Sequence, residues 1–598
     1  MEELDKPISL TSEPSHRSQR MVPLHGKIKL LKIHGPKLIK RIPTTIYDRF
    51  EIHKRIMGHL APSYCVCFDQ TGEFVFSGAD DHLIKIWCTR TGRLIKTLRG
   101  HEGQVCDMTV SYDNRLLASA GVDKIVRVWD LRSSKLLECL PVRSTITSVK
   151  FAPYNRHGND RYLISTSNDG IVRIWVYHHE KLDFRVWMAY KERNRPGGQL
   201  TCSSFSTGGS FMALGASDNA IHVYGFHPNM GPYSLTHQSG GLSGHEDKVD
   251  SIQFCNYGYR FISGSKDGTA RIWTFKGNQW RSIILDMDKQ LNQKVIRRGQ
   301  KPPTVLIVQW SRDDRYVMTS LVDYSIKVWD SKTGYLKHIL KEHKHDVYLI
   351  ESHPTDSRIF VSAGHDGYLC IWDIETGKCI KKIIYSSNAD GLIQVYDVKW
   401  SPDGDLIVTT DSHGYITFIS TGSPERYSQV PEQMFFRTDY QALIRDANHF
   451  VMDDNTHLVP HLMPRPQLVD MNGLPHPPRF QRLVPDHRCG ERFVIQPMDP
   501  IKLRNLANLI ERHSILEDED YLFQKRELDC DSDDTILYDS DTTETYYDLE
   551  DFAIRRSFTH KRHYQTRSTG RPTMQLQEPK RSNISLRPRP KRHCSRVR

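Results

Sequence analysis

Residues 119–130 read SAGVDKIVRVWD. A small hydroxyl residue leads into a turn built on Asp123, and a β-branched strand follows, closed by Trp129. The same order returns as Ser77, Asp81, Trp87; as Ser165, Asp169, Trp175; as Ser263, Asp267, Trp273; as Thr319, Asp323, Trp329; and as Ser362, Asp366, Trp372. Two copies are degraded: Leu214, Asp218, Tyr224, and Thr409, His413, Ile419. The eight closing residues are 42, 46, 49, 49, 56, 43 and 47 positions apart. Short strands repeating at 40–50 residues predict an all-β propeller, each repeat burying its faces only by stacking on its neighbours. Eight copies predict eight blades. Seven is the alternative, because the fourth and eighth copies are degenerate.

Several copies open with histidine, at Gly58-His59, Gly100-His101, Gly244-His245 and Glu342-His343, and three close on Trp-Asp, at Trp129-Asp130, Trp329-Asp330 and Trp372-Asp373. This resembles the WD repeat. The resemblance implies that His, Ser/Thr, Asp and Trp form a buried hydrogen-bonded chain inside each blade. The sets are His59, Ser77, Asp81 and Trp87; His101, Ser119, Asp123 and Trp129; His245, Ser263, Asp267 and Trp273; His343, Ser362, Asp366 and Trp372. Such a chain satisfies its own buried polar groups. A hydrolase triad uses similar residues but occurs once, whereas this set occurs four times, so the sequence predicts no enzyme. No GxSxG elbow, phosphate loop or HExxH helix argues otherwise.

The segment Tyr47–Ile56 carries Phe50, Ile52 and Ile56 at alternate positions and is expected to close the ring as the outer strand of the last blade. Residues 1–45 form an extension, 46–423 the propeller, and 424–495 a Pro/His-rich extended arm expected to lie on it. Residues 496–516 begin with Asp499-Pro500 and place Leu503, Leu506, Leu509 and Ile510 on one helical face.

The formal net charge is +11, too small to name a nucleic-acid partner, but it conceals two opposite blocks. Residues 517–551 hold fifteen Asp/Glu against Lys525 and Arg526; residues 552–598 hold fourteen Lys/Arg against Glu578. Both read as disordered tails. The run Asp529–Asp534 lacks the glycine and distal glutamate of a calcium loop, so no metal site is expected. Arg587, Arg589, Lys591 and Arg592 form a candidate nuclear-import signal, or a phosphate contact to chromatin. The twelve cysteines include no CxxC, which fits a reduced compartment. No apolar segment approaches membrane-spanning length, and no cofactor or small-molecule substrate is indicated.

The first repeat, HKRIMGHLAPSYCVCFDQTG, the fifth, FISGSKDGTARIW, and the stretch after the repeats, PEQMFFRTDYQALIRDANHFVMDD and HLMPRPQLVDMNGLPHPPRFQRLVP, are similar to the bromodomain-and-WD-repeat family, which includes the pleckstrin-homology-domain-interacting protein. The resemblance spans residues 44–486. It implies nuclear, chromatin-associated work, with cell-shape regulation in some members, and a likeness to substrate receptors of cullin-4 ubiquitin ligases. Those receptors bind the ligase's propeller adaptor through a WDxR box, matched here by Trp129, Asp130 and Arg132. Asp130 and Arg132 are expected to be displayed on the bottom rim. Trp329-Asp-Ser-Lys332 is a weaker version. No bromodomain lies within the 598 residues, so no acetyl-lysine pocket is carried over.

Overall fold

The computed structural model describes residues 43–485 and Ile495, apart from 154–159, 179, 192–198, 228–230, 236–240, 277–278, 289–302 and 386–392. The expected N-terminal extension up to residue 42, the helix at 496–516, the acidic and basic tails and the import candidate lie outside the described residues.

Eight four-stranded antiparallel sheets form the body. Blade 1 runs Ser63–Phe68, Phe74–Ala79, Leu83–Cys88, Leu94–Arg99, and blade 2 runs Val105–Val110, Leu116–Gly121, Ile125–Asp130, Lys135–Pro141. Blades 3 to 7 begin at Ile146, Leu200, Val249, Val305 and Val347. Blade 8 takes Val395–Trp400, Leu406–Asp411 and Tyr415–Ser420 from the end of the repeats and its fourth strand, Glu51–Met57, from the beginning. The ring is therefore closed by pairing its two ends, and eight is the blade number.

The second strands explain the apolar, small-residue runs. Phe74–Ala79, Leu116–Gly121 and Ile359–Gly364 are buried at every position, because a neighbouring blade covers each face. In each blade the inner strand carries a β-bulge after its first residue, so the second residue has no partner on the adjacent strand. A bulge adds twist and re-aims one side chain. The turn between the second and third strands needs a left-handed residue after its aspartate. Glycine supplies it in several blades, at Gly170, Gly268 and Gly367, but His82, Lys124, Asn219 and Tyr324 adopt it elsewhere. The aspartate makes this tolerable: Asp81, Asp123, Asp267 and Asp366 each accept a hydrogen bond from the amide two residues on.

The closing strand departs from its expected register. Phe50 and Ile56 are buried, but Ile52 is exposed and His53 is buried in its place. A bulge between Ile52 and Lys54 shifts the alternation by one. Residues 47–49, expected to begin this strand, instead belong to a 3-10 turn, Thr44–Arg49, that seats Tyr47 between blades 7 and 8.

The arm after the ring is less plain than its composition implies. It contains 3-10 turns at Pro424–Tyr427, Arg437–Tyr440 and Pro460–Leu462, a short helix at Pro478–Gln481, and two small ladders, Phe435–Phe436 with Leu468–Val469 and Leu443–Arg445 with Val451–Asp453. It lies along the outer edges of blades 8, 1 and 2. Met57 and Met434 exchange backbone hydrogen bonds with the arm and the closing strand respectively. Phe436, Leu468 and Val484 join the core between blades 8 and 1. Two buried cations of blade 1 hold it: Lys85 Nζ lies 2.9 Å from Asp439 Oδ2, and Arg99 lies 3.9 Å from Asp453.

Candidate functional site: the rims of the ring

The four complete polar sets lie inside blades 1, 2, 5 and 7. In blade 2, His101 Nδ1 lies 3.0 Å from Asp123 and His101 Nε2 lies 2.7 Å from Ser119 Oγ; Trp129 Nε1 donates to the same oxygen at 3.0 Å. Burial lowers the His101 pKa, with Asp123 partly offsetting it. The imidazole is therefore neutral, its Nδ1–H donates to the carboxylate, and its Nε2 accepts from the Ser119 hydroxyl. Burial raises the Asp123 carboxyl, but the hydrogen bond from His101 and the Arg127 guanidinium outweigh it, leaving the carboxyl below its ordinary value.

The geometry repeats. His59 lies 2.7 Å from Ser77 and 2.9 Å from Asp81, and Trp87 donates to Ser77 at 3.0 Å. His245 lies 2.7 Å from Ser263 and 2.9 Å from Asp267, with Trp273 at 2.9 Å. His343 lies 2.7 Å from Ser362 and 2.8 Å from Asp366, with Trp372 at 2.7 Å. All four serines are fully buried and each oxygen already serves two partners, so none is available as a nucleophile. Blades 3 and 6 keep only the lower half of the chain, Trp175 to Ser165 and Trp329 to Thr319.

The box at Trp129, Asp130 and Arg132 divides. Trp129 belongs to the buried set. Asp130 is half-buried, and its carboxylate accepts from the Ser133 amide at 3.0 Å and the Ser133 hydroxyl at 2.5 Å. Asp330 and Asp373 close the equivalent turns through Thr333 and Thr376. The Trp-Asp aspartate is thus a turn-former whose carboxylate stays at the surface of its own turn. Arg132 differs. It is exposed where the third strand of blade 2 leaves the ring, and among the described residues nothing takes its guanidinium. Lys332 of blade 6 is exposed at the matching place.

The comparisons with known proteins agree with this architecture. The WD domain, G-beta repeat family matches residues 50–88, 92–130, 135–176, 236–274, 293–330, 334–373 and 377–419. The chain is a WD-repeat β-propeller. The unmatched interval holds blade 4, where Tyr224 replaces the tryptophan and no serine stands at position 214. A bromodomain and WD repeat-containing protein of Dictyostelium discoideum is 30% identical over 75% of this chain, and the chain spans 24% of that relative's length. Autophagy-related protein 16 of Arabidopsis thaliana is 24% identical over 55% of this chain and 58% of its own. Among solved structures, Chaetomium thermophilum Sqt1 bound to the N-terminus of ribosomal protein L10 superposes with a TM-score of 0.51 at 18% identity, covering 62% of this chain and 100% of Sqt1, a likeness of fold.

Two features of this propeller escaped the repeat pattern. The buried cations Lys85 and Arg99 stand among apolar strand residues, a hint that an acidic segment must cover them, but their partners lie over 340 residues away. The second residue of each inner strand looks interchangeable in sequence; the bulge that re-aims it is visible only in the paired register.

Proposed function

We propose that this propeller is a non-catalytic substrate receptor of a cullin-4 RING ubiquitin ligase, docking the ligase's propeller adaptor through Arg132. The exposed, unengaged guanidinium directly after the Trp129-Asp130 turn carries the reading. Asp130 fixes that turn, and the turn presents the arginine with its donors free for a carbonyl- or carboxylate-rich partner. The likeness to the Dictyostelium bromodomain and WD repeat-containing protein supports the broader family assignment; a nuclear location belongs to the same proposal. The pleckstrin-homology-domain-interacting protein is the member we would compare first.

Recovery of the adaptor on the tagged chain tests this. Wild type should retain it; Arg132→Ala should lose about tenfold or more while melting at the same temperature. Equal recovery by both, or none by wild type, refutes the proposal. Lys332→Ala is the control, because it alters the matching rim position.

A second reading is a nuclear scaffold that contacts chromatin without a ligase. The fourteen basic residues of segment 552–598 favour it. It requires salt-sensitive nucleic-acid or histone association that disappears when 552–598 is removed, and nuclear entry that fails when Arg587, Arg589, Lys591 and Arg592 become alanine.

A further inference from the structure

Three consecutive blades put a tyrosine at the bulged second residue of the inner strand: Tyr348 in blade 7, Tyr396 in blade 8 and Tyr64 in blade 1. The other five blades place Cys106, Thr147, Thr201, Asp250 and Leu306 there. The bulge turns these side chains out of the sheet at the start of the inner strand, the end of the ring opposite Arg132. Tyr64 and Tyr396 stack with centroids 4.8 Å apart and planes 20° apart. Tyr396 meets His365 edge-on at 6.2 Å, and His365 meets Tyr348 at 4.7 Å. Four rings therefore form one unbroken row.

The row is not tucked away. Tyr64 is 39% exposed and Tyr348 41% exposed. Each of these end rings has a carboxylate beside it. The Tyr348 hydroxyl donates to Asp346 Oδ2 at 3.4 Å. Burial, and then the Asp80 charge, push the Tyr64 phenol above its ordinary value. Asp80 and Asp346 are both partly exposed, and the Asp80 carboxylate also accepts from Gln104. Open aromatic faces beside carboxylates suit one ligand chemistry: a cation with an apolar stem, lying on a ring with its donors toward the carboxylate.

We propose that the tyrosine row across blades 7, 8 and 1 is a docking surface for a lysine- or arginine-bearing extended peptide, one basic side chain seated at Tyr348 and Asp346 and another at Tyr64 and Asp80. The alternation of apolar stem and charged head matches the alternation of ring and carboxylate. The surface shares no residue with the Arg132 rim, so either assignment can fail without the other.

Fluorescence anisotropy of the full chain with a labelled lysine-glycine peptide, at near-physiological salt, tests it. The same peptide with every lysine Nε-acetylated removes the charge. The acidic segment 517–551 contributes equally in every variant, so differences between variants report the row alone. The acetylated peptide should bind about tenfold or more weakly, as should the lysine peptide to Tyr348→Ala combined with Asp346→Asn. Asp346→Asn alone keeps every ring and should still weaken binding several-fold, which covers any folding defect of the double variant. Affinity unchanged in these variants, or equal for the lysine and acetyl-lysine peptides, overturns the proposal. So would displacement of the lysine peptide by single-stranded nucleic acid that is itself insensitive to the variants.

Discussion

The Lys85–Asp439 pair offers a sharp test of how the arm is held. Lys85 is fully buried in the third strand of blade 1, with its ammonium 2.9 Å from Asp439 and 4.3 Å from the centre of the Phe435 ring. Asp439 is almost as buried and also accepts from the Phe436 amide at 3.1 Å. Removing one partner strands the other charge in a dry site, which costs about 3–5 kcal/mol. Replacing both with apolar groups removes that penalty, so Lys85→Met combined with Asp439→Leu should recover most of the loss. The arm contributes its own cap through Asp439, so the coupling must come from the full double-mutant cycle. Hydrogen exchange suits the question, because the arm can open while the ring stays folded. Either single substitution should speed exchange of the backbone amides around Met434–Gln441 by roughly two to three and a half orders of magnitude, if the arm opens locally. The double variant should return to within about tenfold of wild type. Single-variant rates within about threefold of wild type, or a double variant worse than either single, would refute the reasoning.

Other consequences follow from the same structure. Ser119→Ala removes the oxygen shared by His101 and Trp129 and leaves two buried groups unpaired; a loss of about 2–5 kcal/mol is expected in urea unfolding, and a loss under about 0.5 kcal/mol would contradict the network. Acid should weaken the fold in stages. Burial holds His101 and His353 below their ordinary value, so their contribution is complete above about pH 6.5 and fades as pH falls through the lower folded values; the depressed Asp123 carboxyl adds a loss below about pH 4. Asp397, pushed up to about 6 chiefly by burial, works in the opposite sense, binding its proton earlier in the folded state. Asp397→Asn should therefore steepen the decline between pH 6 and 4; a shallower decline, read from urea midpoints, would reverse that sign. Deleting residues 1–57 strips blade 8 of its fourth strand and the arm of its Met57 partner. The truncated chain should aggregate or oligomerise on size exclusion, and a peptide of residues 44–58 should restore the monomer; a stable truncated monomer would show the ring closes without that strand.

How much was legible in advance depended on the range of the interaction. The blade sets were readable because His101, Ser119, Asp123 and Trp129 lie within one repeat and recur, so local spacing and period carry the whole geometry. Ring closure by the segment before the first repeat was readable for the same reason: a repeat pattern that starts mid-blade leaves one strand owed. The shift that exposes Ile52 and buries His53 was not, because a bulge adds one residue without leaving a compositional mark. Nor was the role of Asp130, since Trp-Asp reads alike whether the carboxylate faces a partner or closes its own turn.

By itself, then, the chain's order of residues determined a ring of repeated four-stranded sheets with its polar sets turned inward, while the paired strands decided eight blades over seven. Periodicity is a local property, and each blade repeats one local solution. Tertiary structure alone decided which surfaces remain for work. It brought Asp439 and Asp453 across more than 340 residues to blade 1 and left Arg132 without a partner among the described residues. It also set Tyr64 beside Tyr396 and Tyr348, from which it is separated in the chain by most of the circumference, because the ring closes.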